Sequence, residues 1–301
     1  MTADRPLLGI AMMTGFCVLA PFGDAIAKVL GTSVPIGQLL LVRFAIQAII
    51  LVPIVYYSGQ SLRLSTRVFR LLMLRTGLHI IGIGTMFSAL RYLPLADTIA
   101  IAFVMPFIML LLGKYVLNEE VGQFRLTACV VGFVGTLLVI QPSFVNVGLP
   151  ALLPLGVAVV FALFMLVTRQ IAKDAGAVPL QAVSGCAATV FLMIVLYFGR
   201  NSGIGDLGMI RPDGFTLSLF LLIGVVGTVA HLLMTWSLRF APSATLAPMQ
   251  YLEIPVATAL GLLMFNELPN GLSALGIAVT VGAGLAVIIR ERFVAKALTQ
   301  S

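Results

Sequence analysis

The chain has 301 residues, of which 60% are hydrophobic and only 10% are charged, and its mean hydropathy is +1.12. Soluble domains carry about 25% charged residues, so this composition excludes an ordinary soluble protein and predicts an integral membrane protein. The formal net charge of +7 does not by itself indicate nucleic-acid binding, because in a membrane protein the position of the basic residues reports orientation.

Ten apolar runs follow one another along the chain. Most are close to the ~20 residues that a helix needs to cross a bilayer, and they are too continuous for the alternating strands, about 10 residues each, of a membrane barrel. The predicted fold class is therefore an all-α membrane protein with ten transmembrane helices. These spans, numbered 1 to 10 below, cover residues 7–29, 35–57, 70–92, 95–115, 124–141, 150–171, 179–199, 215–238, 243–265 and 272–290.

The last five spans repeat the pattern of the first five. Two segments recur 148 residues later in similar form: Leu90–Ala96 at Leu238–Ala244, and Asn118–Glu119 at Asn266–Glu267. Because five is an odd number, the second copy must enter the bilayer from the opposite side, which gives two inverted-topology repeats. This symmetry is typical of carriers that alternate access to a site between their halves.

The two repeats are expected to divide the chain at residues 1–145 and 146–301. Most basic residues then fall on one side of the membrane. With the N-terminus inside, the cytoplasmic set is Arg5, Arg63, Arg67, Arg70, Lys114, Arg125, Arg169, Lys173, Arg239, Arg290, Arg292 and Lys296, and the outer set is Lys28, Arg91, Arg200 and Arg211. This distribution follows the positive-inside rule and predicts that both termini are cytoplasmic.

Charged side chains within the spans are candidates for a binding site, because a charge at the centre of a bilayer costs at least ~2.5 kcal/mol on insertion scales. Asp24 and Lys28 share one face of span 1, and Arg43 in span 2 lies at nearly the same depth as Asp24. An ion pair between Asp24 and Arg43 is therefore expected. Whether this pair is structural or contacts a substrate is left open by the sequence.

Each half also contributes one histidine to the spans. His79 lies in span 3 on the same face as Arg75, and His231 lies in span 8 beside Trp236. No cysteine or paired carboxylate stands at ligand spacing, so no metal site is expected. A hydrogen-bonded interior histidine is the first expectation, and a proton relay or a substrate contact is the second.

Span 9 contains Glu253 near its middle, preceded by Gln250 and Tyr251. A carboxylate at that depth is the best candidate for proton coupling, with a bond to a neighbouring helix as the structural alternative. The repeat-matched Glu119 and Glu267 are expected to belong to the scaffold.

Aromatic and proline residues in the spans add two further expectations. The aromatic residues that could line a cavity for a ring-bearing substrate are Phe22, Phe87, Phe103, Phe161, Trp236 and Tyr251. The prolines expected to kink their helices are Pro21, Pro106 and Pro255.

Four segments are similar to those of a known family: Asp24–Lys28, Pro35–Phe44, Ala89–Glu120 and the second-half copy at 238–267. Through them the chain resembles the ten-helix, EamA-type members of the drug/metabolite transporter superfamily. The resemblance implies a bacterial cytoplasmic-membrane carrier whose cavity is built by spans 1 to 4 and 6 to 9. Members carry amino acids, S-adenosylmethionine, riboflavin and other small metabolites. The first two segments are most similar to the riboflavin and S-adenosylmethionine uptake subgroup.

The leading hypothesis is a secondary carrier, since no P-loop indicates direct use of ATP. Riboflavin or a similar neutral or zwitterionic metabolite is the best single candidate, because Asp24 can neutralise Arg43. An S-adenosylmethionine or amino-acid exporter is the alternative. An intramembrane enzyme would need a nucleophile with a base or a carboxylate pair, and none is apparent, so no enzymatic activity and no cofactor are expected. The expected partners are the substrate and the bilayer; a monomer suffices for this function, although a homodimer is compatible with the sequence.

Overall fold

The computed structural model describes residues 5–60, 64–116, 122–241 and 246–300, and within these ranges the regular structure is entirely helical. The helices are α1 (Pro6–Gly31), α2 (Ile36–Tyr57), α3 (Thr66–Ala89), α4 (Leu95–Ala102), α5 (Met105–Val116), α6 (Gln123–Val147), α7 (Leu153–Ile171), α8 (Ala177–Gly199), α9 (Gly214–Phe240), α10 (Glu253–Phe265) and α11 (Gly271–Gln300). Short 3-10 turns cover Leu149–Leu152, Gly205–Leu207 and Ala247–Leu252.

Eight of the described helical stretches are long and apolar enough to cross a membrane, and two shorter apolar helices follow at Met249–Phe265 and Gly271–Ala286. They coincide with the ten predicted spans. The predicted fold class, an all-α multi-pass membrane protein with ten helices in two repeats, is confirmed.

Spans 4 and 9 are broken, although the sequence predicts continuous helices. Span 4 consists of α4 and α5, with a turn at 103–104 between them, and the described part of span 9 contains the 3-10 turn Ala247–Leu252 before α10 begins at Glu253. Pro106 and Pro255 lie in the first turns of α5 and α10, where a proline removes no helical hydrogen bond. These two prolines therefore begin helices after a break and do not kink a helix interior, whereas Pro21 does lie inside α1.

The main helix contacts join the two halves. α1 packs on α9, α2 on α8, α3 on α7, and α6 on α11. In span numbers these contacts join spans 1 and 8, 2 and 7, 3 and 6, and 5 and 10. Exchanging each span with its counterpart in the other half turns the 1–8 contact into the 3–6 contact and leaves the other two unchanged. The packing therefore follows a two-fold relation between the halves, as inverted repeats require.

Spans 5 and 10, which the resemblance did not include in the cavity, form the α6/α11 pair. A Cβ atom on Gly276 would lie 2.8 Å from Val139 Cγ2 and 3.0 Å from Leu138 Cβ, so this glycine allows the two helices to approach closely. Neither helix contributes a described residue to the central cavity.

One end of the bundle, called the loop end, contains the C-terminus of α1 and residues 200–214. Here Lys28 Nζ donates hydrogen bonds to Glu267 Oε1 (2.6 Å), Glu267 Oε2 (2.9 Å) and the Leu93 carbonyl (2.8 Å), and Leu95 N donates to Glu267 Oε2 at 3.1 Å. The interaction ties span 1 and the start of span 4 to the end of span 9. It gives Glu267 the scaffold role expected for it; its repeat counterpart Glu119 and the repeat segment 242–245 lie outside the described residues.

A second tie at the loop end joins Arg91 to the 200–214 segment. Arg91 Nη1 donates to Asp206 Oδ1 at 2.7 Å, and Arg91 Nε and Nη2 donate to the carbonyls of Gly31 (2.9 Å) and Val34 (3.0 Å). At the opposite end, called the terminal end, the exposed pair Arg67–Asp174 has an N–O distance of 3.3 Å. Both ends of the bundle are thus bridged between the halves.

Candidate functional site: a central cavity between the repeats

A cavity lies between the two halves, with walls contributed by α1, α2, α3, α4, α7, α9 and α10 and by residues beside the break in span 4. It leaves about 100 Å³ for the centres of water molecules, enough for several waters. None of its described lining residues comes from α8, although the resemblance included span 7. The wall is mainly apolar with a few polar groups, as is usual for small-molecule sites.

Four of the predicted site residues line this cavity: Asp24 from α1, Arg43 from α2, His231 from α9 and Glu253 from α10. They are the only ionisable groups among its described lining residues. Four helices, two from each half, therefore bring together groups that are distant in sequence.

The expected ion pair between Asp24 and Arg43 is not formed. No N–O distance of 4.0 Å or less joins the two side chains, although they attract each other electrostatically. The Arg43 guanidinium lies instead 4.9 Å from the Phe44 ring centroid and against Gly227 of α9, where a Cβ atom would lie 2.9 Å from Arg43 Nε. Because Gly227 has no side chain, Arg43 extends across the boundary between the halves.

The two histidines are in contact with each other, with ring centroids 4.3 Å apart. Their ring nitrogens have no hydrogen-bond partner among the described residues, so the hydrogen bond expected for an interior histidine is not made to another described side chain or backbone group. The reason is that aromatic rings surround both histidines. The ring centroid of His79 lies 5.0 Å from that of Phe44 and 4.6 Å from that of Phe164, and His231 stacks on Phe16 with a centroid distance of 5.8 Å. His79 lies behind His231 and is not itself a lining residue.

The three predicted residues of span 9 have different surroundings. Glu253 follows the break directly, lines the cavity and leaves its Oε1 atom without a partner among the described residues. Gln250 is fully buried, and its Nε2 atom donates to Met165 Sδ at 3.2 Å. Tyr251 packs on Phe103, with ring centroids 5.2 Å apart. Because Phe103 lies at the break in span 4, the two broken spans meet through these rings.

Two predicted residues lie away from the cavity. Lys28 belongs to the Glu267 tie at the loop end, and Trp236 packs against an apolar cluster that includes Leu51, Val55 and Leu232. The aromatic lining is formed by Phe16, Phe87, Phe103 and Phe161. Three of these four were among the predicted aromatic residues, Phe16 was not, and Phe22 is not a lining residue.

Arg75, which shares a face with His79, was not among the predicted site residues, yet it forms an extensive polar cluster. It is fully buried and donates to Thr168 Oγ1 (2.8 Å), Ser184 Oγ (3.3 Å) and Thr235 Oγ1 (3.3 Å) of α7, α8 and α9. Its guanidinium lies 4.5 Å from the Phe164 ring centroid, the same ring that contacts His79. The three hydroxyls gave no signal in the sequence, since serine and threonine are ordinary residues in membrane helices.

The profile of the EamA-like transporter family matches residues 7–141 and again residues 148–290. The chain belongs to the EamA-like transporter family. The two matches correspond to spans 1 to 5 and 6 to 10, so the cavity of this EamA transporter lies between two copies of the family's unit.

Characterised relatives of this EamA transporter are named for small-molecule transport. A riboflavin transporter of Rhizobium johnstonii is 30% identical over 72% of this chain and 69% of its own length. An S-adenosylmethionine uptake transporter of Rickettsia prowazekii is 24% identical over 95% of this chain and 94% of its own length. A riboflavin transporter of Vibrio cholerae is 27% identical over 82% of this chain and 80% of its own length. The family and these names indicate a transporter of a small metabolite and not an enzyme.

A solved crystal structure shares the fold, with a TM-score of 0.68, 18% sequence identity and coverage of 96% of this chain and 98% of that chain. At that identity the likeness extends to the architecture alone.

Proposed function

We propose that this protein is a secondary transporter that carries a small neutral or zwitterionic metabolite, with riboflavin as the leading candidate. The main observation in support is the balance of positive and negative groups that line the cavity. Among the described lining residues Arg43 supplies one positive group and Asp24 one negative group, and Glu253 can take up or release a proton. A strongly charged substrate would leave a buried charge without compensation, which is costly in a low-dielectric interior. A neutral or zwitterionic substrate preserves the balance.

The aromatic wall supports a substrate with a flat ring. Phe16, Phe87, Phe103 and Phe161 border the cavity, and aromatic pairs gain about 0.5–1.5 kcal/mol beyond the burial of their area. The names of the Rhizobium johnstonii and Vibrio cholerae relatives favour riboflavin. S-adenosylmethionine, favoured by the Rickettsia relatives, is the alternative and carries a net positive charge. Export of an amino acid or another metabolite is the remaining alternative within the family.

The proposal includes orientation and mechanism. The basic residues of the terminal end, such as Arg67 and Arg169, favour a bacterial cytoplasmic membrane with both termini inside, so the loop end faces outward. Residues 1–145 and 146–301 act as the two units, which move relative to each other and expose the cavity to one side at a time. The two-fold relation between their helix contacts supports such a motion.

Uptake by proteoliposomes tests the substrate. Vesicles that contain the purified protein are expected to accumulate labelled riboflavin, and excess unlabelled riboflavin should block this uptake, because the aromatic cavity accepts the ring. Labelled S-adenosylmethionine and a neutral amino acid are measured in parallel, with Arg43→Ala vesicles as the control. Uptake of S-adenosylmethionine without riboflavin would establish the alternative. Folded protein that carries none of the three would contradict the proposal for all these classes.

Glu253→Gln tests proton coupling at the same site. Glu253 is the carboxylate beside the break in span 9, and glutamine keeps its shape but cannot exchange a proton. An imposed proton gradient is expected to stimulate uptake by the wild type, whereas the ratio of uptake with and without the gradient should fall to about one in the variant. A ratio that stays at the wild-type value would remove Glu253 from the coupling mechanism.

A further inference from the structure

We propose that Arg43 and Glu253 bind the imide edge of a flavin ring, the edge on which one N–H stands between two carbonyl groups. Glu253 Oε1 accepts a hydrogen bond from the ring N3–H, and Arg43 Nη1 donates one to an adjacent ring carbonyl. This inference rests on the proposed function, because it specifies how the riboflavin ring is oriented in the cavity.

The first support is a donor and an acceptor that no protein group uses. Arg43 Nη1 and Glu253 Oε1 are both buried, and neither has a hydrogen-bond partner among the described residues. An unsatisfied buried polar atom raises the free energy of the protein, so a ligand that pairs with both atoms is bound more tightly. The two side chains come from opposite halves of the protein, on α2 and α10, and both line the cavity.

The second support is the position of Asp24 relative to these two groups. Asp24 lines the same cavity, attracts Arg43 and, when both carboxyl groups are charged, repels Glu253. The three side chains are among the few polar groups of a wall that is otherwise mainly apolar. A flat ring with its imide groups along one edge matches this division better than a ring that is polar on all sides.

The third support is a layer of aromatic rings on the cavity wall, in which Phe161 and His231 are tilted by 42° to each other. Phe16 and Phe161 stack with centroids 6.4 Å apart and an interplanar angle of 15°, and His231 stacks on Phe16 at 5.8 Å and 27°. All three residues line the cavity. A flavin ring packed against this layer gains aromatic contact area, and its polar edge is then free to meet Arg43 and Glu253.

Methylation of one ring nitrogen tests the inference. 3-Methylriboflavin differs from riboflavin only at N3, where a methyl group replaces the imide hydrogen. Each compound, unlabelled, competes with labelled riboflavin for uptake into proteoliposomes. In the wild type, we expect the methylated compound to compete about tenfold more weakly or worse, because the Glu253 acceptor then stays unpaired.

Variants of Glu253 assign the effect to that side chain. In Glu253→Ala the two compounds are expected to compete within about twofold of each other, since no acceptor remains to distinguish them. Glu253→Gln keeps an acceptor oxygen and should keep the preference for riboflavin. If the alanine variant does not transport, the same two affinities are measured from flavin fluorescence with the folded variant in detergent.

The outcomes separate this inference from the function on which it rests. Equal competition by both compounds in the wild type, with riboflavin still transported, would overturn the imide contact and leave the proposed function standing. An undiminished preference in folded Glu253→Ala would overturn the role of Glu253. A folded wild-type protein that neither binds nor carries riboflavin would overturn the proposed function and this inference together.

Discussion

Replacing Gly227 with alanine is expected to lower riboflavin uptake about as much as replacing Arg43 itself, by at least about tenfold. A Cβ atom at Gly227 would lie 2.9 Å from Arg43 Nε and 3.2 Å from its Cζ and Nη2 atoms, closer than non-bonded atoms normally approach. The guanidinium must then move away from α9. A displacement of about 1 Å in a positioning group can reduce the rate of a functional step about 100-fold.

Gly77→Ala is the matched control for this prediction. Gly77 is also a helical glycine in a membrane span, but a Cβ atom there would meet nothing within 4 Å. Alanine favours a helix over glycine by about 0.5–1 kcal/mol, so this variant should fold and transport as the wild type does. Proteoliposome uptake is measured for both variants together with Arg43→Ala. Normal uptake by Gly227→Ala would show that the observed position of Arg43 is not required for transport.

Replacing Glu267 with alanine is expected to lower the free energy of unfolding by about 2 kcal/mol, the contribution of a hydrogen-bonded charge that loses its partner. The substitution removes two of the three acceptors of Lys28, whose side chain is only 14% exposed, and the acceptor of Leu95 N. Lys28 would keep a 2.8 Å bond to the Leu93 carbonyl, which does not neutralise its charge. Thermal unfolding in detergent measures the effect.

Asp174→Ala provides the comparison for the Glu267 variant. It also removes the acidic partner of an ion pair between the halves, but the side chains of Arg67 and Asp174 are 66% and 43% exposed. Exposed pairs of this kind contribute about 0–1 kcal/mol, so the unfolding midpoint should hardly change. Equal loss of stability in the two variants would show that burial of the Lys28–Glu267 pair adds nothing to its strength.

The fold could be predicted because its determinants are repeated and local. Apolar runs of membrane length and the match of Leu90–Ala96 with Leu238–Ala244 are visible in the sequence and require no knowledge of distant contacts. The breaks in spans 4 and 9 were only partly foreseen. Pro106 and Pro255 marked the correct places, but whether a proline kinks a helix or begins one depends on the neighbouring turn, which the sequence does not specify.

The site residues illustrate the limit of prediction from charge and depth. Asp24, Arg43 and Glu253 were selected because charges in membrane helices are rare, and the structure brings them to one cavity. Lys28 met the same criterion on the same face of span 1. It lies one turn nearer the loop end, however, within reach of Glu267, a residue 239 positions away in the sequence. A partner in the other repeat therefore determines whether a charged residue belongs to the scaffold or lines the cavity. The sequence does not reveal that partner, because the two residues come together only when the chain folds.

The contact between Phe103 and Tyr251 has a mechanical consequence for the two broken spans. Each ring is attached at or beside a break, and the ring centroids are 5.2 Å apart. A packed interior does not compress, so the backbone at one break cannot bend far toward the other unless the second ring moves with it. Movements at the break in span 4 and at the break in span 9 are therefore coupled. A motion that bent only one of them would either press the two rings together or pull them apart, which discourages independent movement of the two half-helices.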